Sequence, residues 1–305
     1  MAAGIDQCFP RHGVEAVDFR AMGCPCRIQA DSPAAVTAAQ AVVLRLEARY
    51  SRYLPDSETS RINRSAGKPG GIVVDDETAE LLNFAAAAHA QSHGRFDITA
   101  GVLRRGWDFR SGAVPDREAV DQCLQQVGWQ RVRWQPPVLE LPAGAELDFG
   151  GFVKEYAADA AAAAARAAGG AHGLVDLGGD LAVIGPNPDG SPWRVGIRDP
   201  FAPDQAVATI ELASGGLASS GNYARAIRTE QRVYGHVLDP RTGWPPESGF
   251  AGVSARADSC LLAGIATTVA MVSGVDDGQA WLAGLGLPFV AVTAQRQVVF
   301  GGDPG

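Results

Sequence analysis

Apolar residues recur along the chain in two patterns, one typical of short strands and one typical of amphipathic helices. Residues 15–30 predict two strands that meet at Met22-Gly23, and Ala, Val and Leu recur at helical spacing over residues 33–50. Three further long helices are predicted, over residues 76–93, from about 152 to 169 and from about 258 to 273, and shorter ones within residues 51–67 and 111–145.

After residue 170 the chain is predicted to be mostly β-sheet. Strands are expected near residues 173–185, 193–198, 206–212, 217–220, 224–228 and 233–238, with a last strand pair over about 288–300. The turn residues 186–190 predict a hairpin between the first two of these strands. Because the pattern shows no repeat, no linker and no regular strand–helix alternation, we expect an α+β fold. One domain is predicted over residues 15–303, preceded by a short extension over 1–14.

Charge and composition exclude several classes of protein. The 305 residues carry a net charge of −8 without a run of Lys or Arg, which argues against nucleic-acid binding. No uncharged apolar stretch approaches the ~18 residues of a membrane span. The five cysteines fit no zinc or disulfide framework, and the N-terminus lacks the basic and apolar regions of a signal peptide. We therefore expect a cytoplasmic protein.

A strand, two glycines and a helix follow one another around residue 150. Asp148 ends the strand, Gly150-Gly151 turn the chain, and the helix is predicted to begin near Phe152. Free N–H groups at a helix N-terminus favour anions, whereas a cation in the first turn, here Lys154, opposes the helix dipole. A bound phosphate would explain this lysine, and a solvent-facing lysine remains an equal alternative.

Three other segments carry candidate chemistry, each with a structural alternative. Glycines 178 and 179 before Asp180 interrupt an apolar strand, which indicates a bulge or a close approach to a ligand, with the bulge slightly favoured. Ser219-Ser220-Gly221 offers hydroxyl donors to a phosphate or forms a plain turn. His236 precedes a turn that runs from Asp239 to Gly243. From spacing alone, a structural histidine is favoured there.

In order, the segments AMGCPCRI, SRYLPDSETSRIN, GRFDITAGVL, LDFGGFVKEYAAD, LVDLGGDLAVIG, LASSGNY and HVLDPRTG resemble the FAD:protein FMN transferases, the ApbE-type flavin transferases. The resemblance spans about Met22 to Gly274. It implies a two-lobed α+β fold with a T-fold-like β portion and FAD in the cleft between the lobes. It also implies transfer of FMN from FAD to a Thr or Ser hydroxyl of an acceptor protein, with release of AMP and assistance from Mg²⁺.

The same resemblance implies the site residues. Those expected to bind FAD are Met22, Tyr53, Phe96, Asp97, Asp148, Lys154, Ser220, His236 and Val237. His236 and Lys154 are expected to be catalytic, because a neutral imidazole can accept the proton of an attacking hydroxyl and a lysine can neutralise phosphate charge. The carbonyl of Gly151 and the side chain of Thr268 are expected to hold Mg²⁺.

The chain departs from the family pattern at the metal site. Gly264 stands four residues before Thr268, where the family carries an acidic ligand on the same helix face. We therefore expect weakened Mg²⁺ binding, which Gly264→Asp should tighten. Asp258 lies six residues earlier and on another face, so it is expected to cap the helix. In a second departure, Lys154 is followed by Glu155 instead of the commoner glycine.

Three functions remain open from the sequence. The first is an active flavin transferase, which the retained His236, Lys154 and Ser219-Ser220-Gly221 favour. The second is an FAD-binding protein without turnover, which Gly264 favours. The third is an FAD pyrophosphatase, in which water replaces the acceptor hydroxyl.

Overall fold

The computed structural model describes residues 15–222, 226–229, 232–246 and 249–302. Two units are distinguished by their internal contacts. The first comprises Met1–Ala48, Phe152–Tyr223 and Ser248–Gly305, and the second comprises Arg49–Gly151 and Ala224–Glu247. The predicted extension over 1–14 and the predicted domain end at 303 lie outside the described residues, and the single-domain assignment stays a prediction.

The strands, in chain order, are β1 (Glu15–Ala21), β2 (Cys24–Ala30), β3 (Ile72–Val73), β4 (Arg133–Gln135), β5 (Val138–Glu140), β6 (Gly173–Leu177), β7 (Asp180–Gly185), β8 (Trp193–Arg198), β9 (Ala206–Leu212), β10 (Gly216–Gly221), β11 (Ala226–Arg228), β12 (Val233–Gly235), β13 (Phe250–Ala257), β14 (Phe289–Thr293) and β15 (Val298–Gly301). The α-helices are α1 (Pro33–Tyr50), α2 (Glu58–Asn63), α3 (Asp76–Gln91), α4 (Arg117–Leu124), α5 (Val153–Ala167), α6 (Cys260–Ser273) and α7 (Val275–Gly284). Short 3-10 helices span Ile98–Arg105, Trp129–Arg131 and Phe149–Gly151. This mixture of helices and antiparallel strands confirms the α+β prediction.

The first unit is built on an eight-stranded sheet. Its strand order is β1-β2-β6-β7-β10-β13-β14-β15, and every neighbouring pair is antiparallel. Helix α5 packs on β6 and β7, and α6 packs on β10 and β13. The two helices also contact each other, which brings the N-terminal half of α5 beside α6.

Two tight turns in this sheet depend on backbone that favours glycine. Met22 and Gly23 join β1 to β2 with φ values of 51° and 76°, which confirms the predicted hairpin. Gly178 and Gly179 join β6 to β7 with φ values of 72° and 97°. The predicted single strand over 173–185 is therefore wrong, because it is two strands and the glycines form their turn. All residues of β6 and β7 are buried, so the run lacks the alternation that would have revealed the hairpin.

The predicted hairpin across residues 186–190 is also wrong. Among the described strands, β8 pairs with β9 alone, in a separate two-stranded sheet, and β7 pairs with β6 and β10. Trp193 of β8 packs in a core cluster with residues of both sheets, and its indole N–H donates to the carbonyl of Gly185 at 2.8 Å. Burial of this side chain and pairing with β9 together hold β8 in place.

The second unit combines helix α3 with shorter helices and two small sheets. Strands β3, β5 and β4 form one small sheet, and β11 and β12 form another. Trp107 is 3% exposed and packs with Val120 and Ile227. Its ring stacks on Phe109 at a centroid distance of 5.2 Å. An aromatic cluster around Trp107 thus forms part of the core of this unit.

Other element predictions have mixed outcomes. Strand β13 and helix α7 were not predicted, and β12 ends at Gly235 instead of 238. Residues 224 and 225 of the predicted strand 224–228 lie outside the described residues. In the part of the chain that the structure describes, no helix has the length and apolar character needed to cross a bilayer.

Candidate functional site

The N-terminus of α5 begins directly after the glycine turn that the sequence singled out. Phe152 is the N-cap residue, and among the described residues no side chain caps the first turn of this helix. Its first amide groups therefore lack the side-chain acceptor that usually satisfies them. Helix ends of this kind favour a bound anion.

Lys154 lies in this first turn and is held by a buried carboxylate. Its ammonium group forms an ion pair with Asp180, whose side chain is 2% exposed. The other oxygen of Asp180 accepts a hydrogen bond from the backbone N–H of Ser219 at 2.9 Å. The glycine turn before Asp180 thus delivers the carboxylate that orients Lys154, a function that the sequence pattern did not reveal.

A second acidic group lies on the other side of the same turn. Asp176 is buried, and one of its oxygens accepts a hydrogen bond from the N–H of Gly179 at 2.7 Å. Burial raises the pKa of Asp176 to about 6, although the Gly179 hydrogen bond and the charge of Lys154 oppose this shift. The charge of Lys154 is therefore felt by two buried carboxylates, those of Asp180 and Asp176.

Hydroxyl groups from three elements meet at the end of β10. The Ser219 and Ser254 hydroxyls lie 2.8 Å apart. The Ser220 hydroxyl lies 3.0 Å from that of Thr267 and 3.4 Å from that of Thr268. Ser220 and Thr268, predicted respectively for FAD and metal binding, are therefore brought together.

Glu155 occupies the space beside Gly264. A Cβ atom added to Gly264 would lie 2.6 Å from Cγ of Glu155 and 3.2 Å from its Oε1. Glu155 is 9% exposed, and among the described residues its buried Oε2 has no hydrogen-bond partner. Sequence reasoning noted both departures from the family pattern, but it did not connect them.

The donor set at α6 fits one magnesium ion that keeps water and phosphate ligands. The described residues contain no group of three or more His, Cys, Asp and Glu side chains able to hold a metal. One carboxylate oxygen without a partner and the hydroxyls of Ser220 and Thr268 are oxygen ligands of the kind that Mg²⁺ accepts. A complete cage from protein alone is not expected for Mg²⁺, which is commonly bound by one or two carboxylates together with substrate phosphates.

The expected cap of α6 is not Asp258. Asp258 is exposed, and the helix begins after Ser259, whose hydroxyl accepts from the N–H of Leu262 at 3.2 Å. Asp159 of α5 adds a second cap, since its two oxygens accept from the N–H groups of Cys260 and Leu261, each at 2.9 Å. Capping of α6 from α5 therefore fixes the two helices relative to each other.

Met22 lies in the β1–β2 turn of the first unit. It is half-buried, and its N–H donates to Oε1 of Glu47 at 2.5 Å. A residue other than glycine rarely adopts its φ of 51°. The role of Met22 in FAD binding stays a prediction.

In the second unit, Asp148 and Tyr53 share one arginine. Arg52 forms an ion pair with Asp148, and its other terminal nitrogen donates to the hydroxyl of Tyr53 at 2.9 Å. The same guanidinium lies 5.0 Å from the centroid of the Tyr53 ring, which is 71% exposed. Arg52 therefore links two predicted FAD residues, and the sequence analysis did not single it out.

Asp97 is fully engaged within the second unit. Its Oδ1 accepts from the N–H and the hydroxyl of Thr99, at 2.8 and 2.6 Å, and its Oδ2 accepts from the N–H of Trp129 at 2.9 Å. His89 Nε2 lies 3.5 Å from the same Oδ2. Phe96 beside it is 5% exposed. These contacts organise the loop, and FAD binding by Phe96 and Asp97 stays a prediction.

His236 and Val237 follow β12 and are both half-buried. The turn after them is fixed at two points. The Asp239 carbonyl accepts from the N–H of Gly243 at 2.8 Å, and the Gly243 carbonyl accepts from the indole N–H of Trp107 at 2.8 Å. A Cβ on Gly243 would lie 2.7 Å from a methyl of Val120. The segment that carries the histidine is thus anchored to the Trp107 cluster of its unit.

The predicted metal residues fall in different parts of the chain. Gly151 is exposed in a 3-10 turn and belongs to the second unit, whereas Thr268 is half-buried on α6 of the first. Coordination by the Gly151 carbonyl stays a prediction.

In the first unit, Lys154 thus lies at a helix N-terminus that no described side chain caps, and it pairs with the carboxylate that also binds the Ser219 N–H. Such groups are typical of α+β proteins that bind phosphate. The ApbE family pattern matches residues 22–290, and the chain belongs to the ApbE family.

Curated relatives and solved structures agree with this assignment. The chain is 30% identical over 236 residues to an FAD:protein FMN transferase of Chlamydia pneumoniae, covering 74% of this chain and 72% of that protein. It is 28% identical to one of Vibrio cholerae over 259 residues, covering 82% and 77%.

Among solved structures, an ApbE protein from Thermotoga maritima superposes with a TM-score of 0.87 at 27% identity, covering 94% of this chain and 97% of that chain. The apo form of the flavinyl transferase ApbE from Pseudomonas stutzeri gives a TM-score of 0.81 at 28% identity, covering 94% and 95%.

Proposed function

We propose that this protein transfers FMN from FAD to a Thr or Ser hydroxyl of an acceptor protein and releases AMP. The relatives named above carry this activity in their names. The observation in the structure that most supports it is the ion pair between Lys154 and the buried Asp180, at a helix N-terminus that no side chain caps among the described residues. A fixed cation and open amide groups suit the negative charge of a pyrophosphate.

The reaction breaks the phosphoanhydride bond of FAD and forms a phosphoester bond to the acceptor. The acceptor hydroxyl oxygen attacks the phosphorus of the FMN half of FAD, and the bond from that phosphorus to the bridging oxygen breaks. AMP leaves with the bridging oxygen and the electron pair. His236 takes the proton of the attacking hydroxyl, which a neutral imidazole can do near neutral pH. Lys154 balances the charge that develops on the phosphate oxygens.

Each remaining predicted residue has a proposed part. In the first unit, Met22 and the Ser220 hydroxyl contact FAD. In the second unit, Tyr53, Asp148 and Val237 contact FAD, while Phe96 and Asp97 shape the adenine end. The Arg52 bridge between Asp148 and Tyr53 supports this, because it orders two exposed or half-exposed side chains for one ligand.

Mg²⁺, when bound, would neutralise charge on the phosphate oxygens. The Thr268 hydroxyl and the Gly151 carbonyl are its proposed ligands. The hydroxyl of Thr268, the proposed metal ligand, lies 3.4 Å from that of Ser220, the proposed FAD contact. This short distance supports the proposal that the metal and the nucleotide bind at one site.

The test incubates the purified protein with FAD, with or without Mg²⁺, and a domain that carries a Thr or Ser flavinylation site. Flavin fluorescence of the denatured acceptor and chromatographic measurement of AMP give the two products. Equal amounts of AMP and covalent flavin support the transferase. AMP with free FMN would indicate a pyrophosphatase, and tight FAD binding without AMP would indicate a binding protein without turnover.

A cytoplasmic site of action is part of the same proposal. The five cysteines, an odd number without a disulfide framework, support a reducing compartment. Cell fractionation followed by immunodetection tests this location, and recovery of the protein outside the cytoplasm would contradict it.

A further inference from the structure

The space beside Gly264 is filled by the side chain of Glu155. Gly264 lies on α6, and Glu155 lies in the first turn of α5, which packs on α6. The distance between a Cβ built on Gly264 and Cγ of Glu155 is 2.6 Å, which is shorter than any normal contact between non-bonded carbon atoms. A side chain at position 264 and the observed Glu155 therefore compete for the same volume.

The Glu155 carboxylate is only partly satisfied. Its Oε1 lies 3.7 Å from the ammonium group of Lys154, which is paired more closely with Asp180. Its Oε2 is buried, and no hydrogen-bond partner for it exists among the described residues. A buried carboxylate oxygen without a donor or cation is costly, so this atom marks a position for a positive ligand or a bound donor.

Hydroxyl ligands lie on the same side of α6. Thr268 follows Gly264 by four residues, so the two share the helix face on which Glu155 rests. The Ser220 hydroxyl lies 3.4 Å from that of Thr268. The Thr267 hydroxyl donates to the Gly264 carbonyl at 3.1 Å and so is already engaged.

We propose that Glu155 is the anionic Mg²⁺ ligand of this protein, supplied from α5 across the gap left by Gly264. The inference rests on the proposed function, because phosphate oxygens of FAD complete the coordination. Binding of Mg²⁺ by one carboxylate and hydroxyls alone is expected to be weak. Because FAD adds phosphate oxygens, Mg²⁺ binding should tighten when FAD is present.

The structure also revises the expectation for Gly264→Asp. The new side chain would enter the volume of Glu155 and place two carboxylates together, so this single variant should not tighten metal binding. In contrast, Glu155→Gly combined with Gly264→Asp clears the volume and returns one carboxylate from α6. The double variant should recover metal affinity to within about threefold of the wild type.

The test follows free Mn²⁺ by electron paramagnetic resonance while Mn²⁺ is titrated into the full-length protein, alone and with FAD. Glu155→Gln, which keeps the side-chain shape, should raise the Kd for Mn²⁺ at least about tenfold in the presence of FAD. Glu211→Gln, at an exposed position of β9, is the control and should titrate like the wild type. Thermal unfolding of each variant checks that it is folded.

The outcomes separate this inference from the proposed function. If Glu155→Gln binds Mn²⁺ as the wild type does, or if the wild type binds none in either arm, Glu155 is not the ligand. Flavin fluorescence measures FAD binding independently in the same samples. Wild-type protein that binds FAD and releases AMP, but with Mn²⁺ affinity independent of residue 155, would overturn the inference and leave the transferase function intact. Wild-type protein that binds no FAD would overturn the function itself.

Discussion

The ammonium group of Lys154 is paired with the carboxylate of Asp180, and that carboxylate is 2% exposed. Lys154 comes from the first turn of α5, and Asp180 comes from the glycine turn that starts β7. The backbone N–H of Ser219, on β10, donates to the same carboxylate. The sheet therefore holds the Asp180 carboxylate in place, and the carboxylate holds the Lys154 ammonium group. The orientation of the proposed catalytic lysine is thus set by the core of its unit.

Asp180→Asn should lower transfer by about 100-fold, because a fixed charge beside a phosphate is worth most when it is preorganised. Asparagine keeps an acceptor for the Ser219 N–H but loses the charge that holds Lys154. The free energy of unfolding should also fall, because the variant breaks the ion pair. The loss should be only about 2 kcal/mol, because Lys154 is partly exposed and water screens its charge. AMP release at saturating FAD and urea unfolding measure the two effects.

Asp189→Asn is the matched control, because Asp189 lies in an exposed loop of the same unit. It should leave AMP release unchanged. Transfer by Asp180→Asn at the wild-type rate would show that Lys154 does not need this partner.

His236→Ala should lower transfer by about 10²- to 10⁴-fold while FAD binding changes little, because general-base catalysis contributes on that order. AMP release and flavin fluorescence titration separate the two effects. The wild-type rate should rise with pH as the imidazole loses its proton, and the variant should lack this rise. A variant with undiminished transfer would remove His236 from the mechanism.

Gly243→Ala tests whether the anchored turn after His236 matters. Gly243 has φ of 75°, and an added Cβ would lie 2.7 Å from a Val120 methyl. The variant should lose about 2 to 4 kcal/mol of unfolding free energy from backbone strain and overpacking combined. It should also lower transfer, because the segment that carries His236 would shift.

Gly190→Ala provides the comparison for that variant. Gly190 has φ of 82°, but an added Cβ there meets nothing within 4 Å. It should lose only the backbone term, about 1 kcal/mol, and keep transfer. Equal losses of stability in the two variants would mean that the contact with Val120 is relieved without cost.

The local sequence pattern was sufficient to predict those helices and strands whose signals lie within a few residues. Helix α1 was predicted over its observed bounds, Pro33–Tyr50, and the hairpin at Met22-Gly23 was predicted from the turn itself. Strand β13 was missed, because FAGVSARA alternates weakly and contains few β-formers even though Val253, Ser254 and Ala255 are buried. Its position depends on both neighbouring strands, which the local pattern does not contain.

The candidate site shows the same limit. Resemblance selected Lys154, Ser220 and Thr268, and the structure brings the hydroxyls of the last two together. The relation between Glu155 and Gly264 could not be predicted, because the two residues lie far apart along the chain and meet only when α5 packs on α6. Considered alone, Gly264 pointed to weakened Mg²⁺ binding.

Asp176 should make the stability of the protein depend on pH in a direction unusual for a carboxylate. Burial raises its pKa from 3.8 to about 6 in the folded state, so between these values the folded protein binds more protons than the unfolded chain. The contribution of Asp176 to the free energy of unfolding therefore falls as pH rises through this window, by about 3 kcal/mol in all. Asp176→Asn removes the titration and keeps an oxygen for the Gly179 N–H. Urea unfolding at several pH values should show the variant gaining stability relative to wild type from about pH 4 to pH 7, and a constant difference would mean that Asp176 is not desolvated.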